Sequence, residues 1–175
     1  VETYQPAFTD DELKYSDFET MVLNKINSYA GSKAGDLYKK FDLKKNVKSV
    51  NHLLIMRMLG VKTENAQEFE KANIQIKTIR VRKDGKLREH MSFPNFVIKD
   101  FIDENWENSE LYELFSQTKF MFVVFKENQN GEDILEGAKF WTMPIKDLEN
   151  EGRKEWKMFQ DKFLEGINFR VKETT

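Results

Sequence analysis

The sequence has no cysteine and only two histidines among its 175 residues. The lack of cysteine excludes disulfide bonds and thiolate metal sites, and two histidines are too few for a zinc site built from imidazoles. No apolar run approaches the roughly 20 residues that a helix needs to cross a bilayer, and the acidic start has no signal-peptide pattern. These absences predict a protein of a reducing, cytoplasmic setting without a membrane partner.

Positive charge is not in excess either, because 28 Lys and Arg are balanced by 30 Asp and Glu. This balance argues against a histone-like protein, although a total can hide a local basic face. Aromatic side chains, by contrast, are plentiful, and 15 of them are Phe. A chain of this length buries roughly 70% of its unfolded surface. We expect one domain over residues 15–175, preceded by a linker or N-terminal extension over residues 1–14.

Helical signals recur along the chain. Ser16 and Glu19 form a capping box, which predicts a first helix that ends at Gly31. Apolar spacing predicts further helices, and the one over residues 97–115 is acidic and interrupted near Trp106. The other predicted helices cover residues 35–41, 47–58 and 147–164.

The central strand signal lies at residues 72–80, where Gln75 and Lys77 alternate with apolar neighbours and so share one face. Asp84-Gly85 predicts a hairpin turn with a returning strand over residues 87–93. Further strands are predicted at residues 120–125, covered on both faces, and at residues 139–143 and 167–171. Together the pattern predicts an α/β fold, a mixed sheet flanked by helices.

The predicted hairpin is basic. Against the single acid Asp84 it carries six cations, namely Lys77, Arg80, Arg82, Lys83, Lys86 and Arg88. Two interpretations are open: a solvated ribbon, or an arm that contacts phosphates and gives salt-sensitive affinity for nucleic acid.

The central strand also indicates an altered nuclease centre. Many metal-dependent nucleases hold Mg²⁺ and the attacking water with a carboxylate, a lysine two residues later on the strand, and an upstream acid. Here Glu68 is the upstream acid and Lys77 the lysine, but Gln75 is an amide. His52 and His90 have no catalytic partner signal and are interpreted as structural, and Met56 and Met58 as core.

Several short elements, in shared order and spacing, resemble the MutH family of GATC-specific nucleases. These elements are residues 23–37, 53–60, 68–69, 77–79, Gly85, residues 106–109, Lys119, residues 140–144 and Trp156. The resemblance covers most of the chain and implies a MutH-like, restriction-endonuclease-like fold.

The resemblance also implies site residues. The family's Asp, Glu and Lys fall on Glu68, Gln75 and Lys77, its further lysine on Lys119, and its helix carboxylate on Met56. Both lysines are kept, while the acid positions read Glu, Gln and Met. A neutral amide removes charge and a thioether is a poor Mg²⁺ ligand, so we expect no bound metal and a domain that binds DNA through its hairpin cations and Lys119 without cutting it.

Within that family, the chain is most similar to the C-terminal unit of the two-domain bacterial Sau-type GATC restriction enzymes. This similarity implies an allosteric effector that binds duplex GATC sites and partners an N-terminal catalytic domain, which would use Mg²⁺. It also implies that the chain is truncated, with base-reading residues beyond Thr175. An active Mg²⁺-dependent GATC-specific endonuclease is an alternative. An engineered inactivating change in such a nuclease would account for Gln75 but leaves Met56 unexplained. A protein-docking domain of the same enzyme is a further alternative.

Overall fold

The computed structural model describes residues 4–9, 17–44 and 49–166. The chain forms two compact units, a subdivision that composition did not indicate. The first unit is Val1–Ser92 with Lys119–Trp141, and the second is Phe93–Thr118 with Thr142–Thr175.

The first unit contains a three-stranded sheet in the order β1 (Ile74–Val81), β2 (Lys119–Glu127), β3 (Asp133–Trp141). β1 pairs parallel with β2, and β2 pairs antiparallel with β3. The predicted mixed sheet flanked by helices is therefore confirmed, and the apolar run of β2 supplies buried residues to both faces, such as Phe120 and Met121.

In the described part of the first unit, four helices accompany the sheet: α1 (Phe18–Asn27), α2 (Ala34–Lys40), α3 (Val50–Met58) and α4 (Gln67–Lys71). α1 is capped by Asp17, whose side chain accepts a hydrogen bond from the Thr20 N–H, and the predicted cap Ser16 lies outside the described residues. α1 ends at Asn27, not at the predicted Gly31, because a turn follows in which Gly31 takes a φ of +83°.

The core of the first unit packs the helices against one face of the sheet. Its fully buried side chains include Ile26, Leu54, Met121 and Leu135. Residues 4–9 also take part, since Ala7 and Phe8 are buried in this core and Gln5 bridges to Ala66. This part of the expected linker or extension is thus folded onto the core.

The outer edge of β3 is covered by the turn after α1. The Gly31 N–H donates to the Leu135 carbonyl at 2.8 Å, and the Leu135 N–H donates to the Ser32 carbonyl at 3.0 Å. A bulge follows at Gly137, where the φ of +144° suits glycine. The Asn27 Oδ1 accepts the neighbouring Ala138 N–H at 2.8 Å, so the C-terminal end of α1 is fixed to the bulge.

The hairpin turn at Asp84-Gly85 is confirmed, with Gly85 at a φ of +83°. The predicted returning strand over residues 87–93 is wrong. The return is a single bridge between Val81 and Leu87, and the Arg88 N–H donates to the Arg80 carbonyl at 2.8 Å. Leu87 is 59% exposed, so little apolar burial supports a longer ladder there.

The second unit is helical where it is described. It contains α5 (Ile98–Asp103), a 3₁₀ turn (Trp106–Asn108), α6 (Glu110–Gln117), α7 (Ile145–Asp147), a π-helical turn (Leu148–Gly152) and α8 (Arg153–Glu165). The predicted interruption near Trp106 is confirmed, and the predicted strand at residues 167–171 lies outside the described residues.

Aromatic rings hold the second unit together. Trp106, Trp156 and Phe101 are buried in one cluster, with Trp156 ring contacts at 5.5 and 5.9 Å. The buried Gln160 amide donates to the carbonyls of Phe101, Ile102 and Glu104, which are orphan acceptors at the end of α5. None of the helices in the described part of the chain is long and apolar enough to cross a membrane.

Candidate nucleic-acid interface

Gln75 and Lys77 lie on the β1 face opposite Ile74 and Ile76, which pack in the core. The sheet register places Phe120 beside Gln75 and Phe122 beside Lys77, with Trp141 and Lys139 on β3 as the next neighbours of these two rings. The rings of Phe120, Phe122 and Trp141 contact one another, with centroids 5.7 to 6.1 Å apart. The strand alternation predicted for Gln75 and Lys77 is correct, and its surroundings are aromatic.

Glu68 uses its carboxylate to hold the N-terminal segment. Lying in the first turn of α4, it accepts the Ala7 N–H on both oxygens at 3.0 Å and the Phe8 N–H at 3.2 Å. The Lys25 ammonium group donates to the Ala7 carbonyl and lies 4.2 Å from the centre of the Phe8 ring. The side chain that the family resemblance assigns to metal binding therefore has structural donors on both oxygens.

Met56 is 1% exposed on α3 and belongs to the hydrophobic core. Gln75 belongs to the other face of β1, and its amide is uncharged. Among residues 4–9, 17–44 and 49–166 no group of three or more His, Asp or Glu side chains could hold a metal ion. Because Mg²⁺ requires several hard, anionic oxygens, these residues do not fit it.

The two retained lysines are both engaged. The Lys77 ammonium group donates to the Ser92 carbonyl at 2.7 Å, and burial lowers the pKa of Lys77 from its usual 10.5. Lys119, at the entry of β2, forms an ion pair with Glu19 of α1. Each cation would have to give up or share its protein partner in order to contact a phosphate.

The base of the basic hairpin is neutralised by β3 and by the end of β2. Asp133 accepts the Arg80 Nε at 3.1 Å and the Arg88 Nη1 at 3.3 Å. Glu127 lies 3.4 Å from the Arg88 Nη2 and accepts the Lys83 N–H at 3.3 Å. Two of the six hairpin cations, Arg80 and Arg88, are therefore half-buried ion-pair partners.

The tip of the hairpin is different. Arg82, Lys83 and Lys86 are exposed, and we call these three side chains the hairpin tip. Asp84 accepts the Lys86 N–H through its side chain at 3.0 Å, a common turn-stabilising bond. The tip thus presents three cations to solvent on a fixed turn.

Some of the predicted site residues lie at opposite ends of the sheet. Gln75 and Lys119 lie at the amino ends of the parallel strands, whereas the hairpin tip lies past their carboxyl ends. With a rise of about 3.3 Å per residue, the two ends of β1 are roughly 23 Å apart. At a rise of about 3.4 Å per base pair this separation corresponds to about seven base pairs of a duplex aligned with the strands.

Sequence reasoning missed Asp133 and Glu127, because it weighed only the acids inside the hairpin span. The signal was weak: both acids flank the predicted turn after β2, at the sheet end where the hairpin emerges. His52 received the correct structural interpretation, since its Nε2 contacts the Glu64 carbonyl at 2.6 Å.

Comparison with known proteins supports a relationship between this chain and the type II restriction endonucleases. One relative is the type II restriction enzyme Sau3AI from Staphylococcus aureus, to which the chain is 30% identical over 174 residues. The alignment takes in 91% of this chain and 36% of the relative, so the chain spans little more than a third of that enzyme's length. No family model matches the chain.

Proposed function

We propose that this chain is a DNA-binding effector domain of a bacterial type II restriction enzyme, which binds duplex GATC sites and does not itself cut them. It would act allosterically on the enzyme's N-terminal catalytic domain. The relationship to a restriction enzyme supports DNA as the partner. The proposed GATC preference and the proposed effector role rest on the resemblance of the sequence to the MutH family.

One observation carries the non-catalytic part of the proposal: the Glu68 carboxylate is held by the N–H groups of Ala7 and Phe8. With Gln75 neutral and Met56 buried, the position lacks the negative charge that draws Mg²⁺ to a nuclease centre. Without the metal, both the activation of water and the stabilisation of the leaving oxygen are lost.

Binding would depend on the hairpin tip, whose cations are exposed at one end of the sheet. Contacts to phosphates would position the domain on a duplex without reading its sequence. Lys77 and Lys119 would contribute only where DNA displaces Ser92 or Glu19 from them.

The test pairs a binding assay with a cleavage assay on the same duplexes. Fluorescence anisotropy with a GATC duplex and a scrambled duplex of equal composition should show binding, tighter for GATC. The same mixtures with Mg²⁺ should show no cleavage above background.

Specific cuts by clean protein would instead identify an active Mg²⁺ endonuclease. Failure to bind any duplex, together with capture by the catalytic domain of the same enzyme, would identify a protein-docking domain.

A further inference from the structure

Asp133 lies at the centre of the contacts that hold the basic hairpin. Its side chain is 14% exposed, and those of Arg80 and Arg88 are 29% and 26% exposed. It accepts from two nitrogens of Arg80, at 3.1 and 2.5 Å, and from Arg88 at 3.3 Å. One carboxylate at the start of β3 therefore contacts both the end of β1 and the return of the hairpin.

Backbone bonds close the turn onto β1: the Arg82 N–H donates to the Lys86 carbonyl at 2.8 Å, and the Arg88 N–H donates to the Arg80 carbonyl at 2.8 Å. The return of the hairpin makes one backbone bridge, and Leu87 beside it is 59% exposed. A two-stranded ribbon of this kind is only marginally stable by itself. These backbone bonds reach β1, whereas the Arg88 side chain, held by Asp133 and Glu127, ties the returning chain to the other two strands of the sheet.

From this geometry we infer that Asp133 is a positioning residue for DNA binding: it fixes the hairpin so that Arg82, Lys83 and Lys86 are already ordered when a duplex arrives. This inference rests on the proposed DNA-binding function. A pre-ordered arm gives up less conformational entropy on binding, and that cost is part of any measured affinity.

A positioning role for Asp133 predicts a change in DNA affinity opposite to the one that simple electrostatics predicts. Loss of a negative charge near a DNA-binding surface ordinarily tightens binding, because repulsion from phosphates falls. Loss of the Asp133 charge should instead weaken binding, since the hairpin is released. We expect Asp133→Asn to bind a GATC duplex about fivefold more weakly at one fixed salt concentration.

Glu136→Gln is the matched control. Glu136 lies on the same strand, is exposed, and loses the same charge. Its variant should bind as tightly as the wild type or slightly more tightly. Asp133→Glu keeps the charge and should restore most of the affinity.

Trypsin provides a readout that needs no DNA. The bonds after Arg82, Lys83 and Lys86 should be cut faster in Asp133→Asn than in the wild type or in Glu136→Gln, while the melting temperature reports on the rest of the fold. If Asp133→Asn does not fold, Glu127→Gln removes the second carboxylate on Arg88 and should change both readouts in the same direction, by less.

The outcomes separate the two ideas. If the wild type binds no duplex, the proposed function fails, whatever trypsin shows. If the wild type binds but Asp133→Asn binds as well as Glu136→Gln, the positioning role is overturned, even when its hairpin is cut faster. Weaker binding with faster cutting, both reversed by Asp133→Glu, supports it.

Discussion

Glu68 shows how one carboxylate side chain takes a structural role. Its carboxylate closes the N-terminal segment onto the core by accepting backbone N–H groups of residues 7 and 8. Phe8 then packs edge-on to Phe18, which contacts Phe69 in the same way. The acid therefore stabilises a contact between chain segments that are far apart in sequence.

Replacing Glu68 by Ala should destabilise the protein by about 1–3 kcal/mol, because buried backbone donors lose a charged acceptor. Urea denaturation followed by circular dichroism measures this loss. Glu70→Ala is the control, since Glu70 is an exposed acid on the same short helix. Equal stability of the two variants would contradict the structural role of Glu68.

Lys77 gives a prediction about pH. Burial lowers its pKa below 10.5, so between the lowered value and 10.5 the folded state carries fewer protons than the unfolded state. Stability relative to Lys77→Met should then rise with pH as 10.5 is approached, and the lysine's burial penalty is complete only below the lowered pKa. Guanidinium denaturation from neutral to alkaline pH gives the free energy of unfolding of the wild type minus that of Lys77→Met. A fall in this difference with rising pH would refute the prediction.

At the scale of elements, the hairpin divides into a neutralised base and a cationic tip. Changing Arg82, Lys83 and Lys86 to Gln should weaken duplex binding about equally for all sequences. The slope of log affinity against log salt should flatten by about 0.9 for each phosphate that the variant no longer neutralises. The comparison variant changes three exposed lysines of the second unit, Lys99, Lys146 and Lys154, which removes the same amount of charge from that unit.

Anisotropy titrations at several salt concentrations compare the two triple variants. A slope unchanged by the hairpin changes would return the hairpin to the interpretation of a solvated ribbon. Neutralising acids of the second unit such as Glu110 and Glu113 should not weaken binding.

The bulge in β3 offers a second element-scale prediction. A Cβ at Gly137 would lie 2.8 Å from the Asn27 Oδ1 in a backbone conformation of positive φ. Gly137→Ala should therefore lower the free energy of unfolding by about 1–3 kcal/mol. A Cβ at Gly35, inside α2, would have no atom within 4 Å. Gly35→Ala should therefore raise the free energy of unfolding by about 0.5–1 kcal/mol. Thermal melts of the two variants should shift in opposite directions.

At the scale of the whole molecule, local patterns predicted most elements of the fold. The alternation around Gln75 and the apolar run from Phe120 depend only on neighbours in sequence, and both strands formed as expected. The Arg80 to Asp133 contact joins residues 53 positions apart and depends on the registers of two strand pairs and a bulge. No local pattern contains that information.

The candidate site was predictable only in part, for the same reason. The alternation placed Gln75 and Lys77 on one face, but the partners of Glu68 lie at least 60 residues before it in the chain. Side chains that look available in a sequence, such as Arg88 and Lys119, are held by acids brought close by the fold. Charge counts therefore overestimate the cations that are free to meet a phosphate.

The parallel pairing of β1 with β2 affects how the protein acquires its structure. Antiparallel β2 and β3 are joined by a short turn, whereas β1 cannot pair with β2 until residues 82–127 have been synthesised. Closing a long loop is entropically costly and slows folding, so the β2–β3 pair should form first and β1 should join it late. In refolding experiments Leu135→Ala should slow the folding rate, while Ile76→Val should chiefly speed unfolding. In a protein that emerges from the ribosome, both edges of β1 would be unpaired during that interval. The chain is then most prone to aggregation.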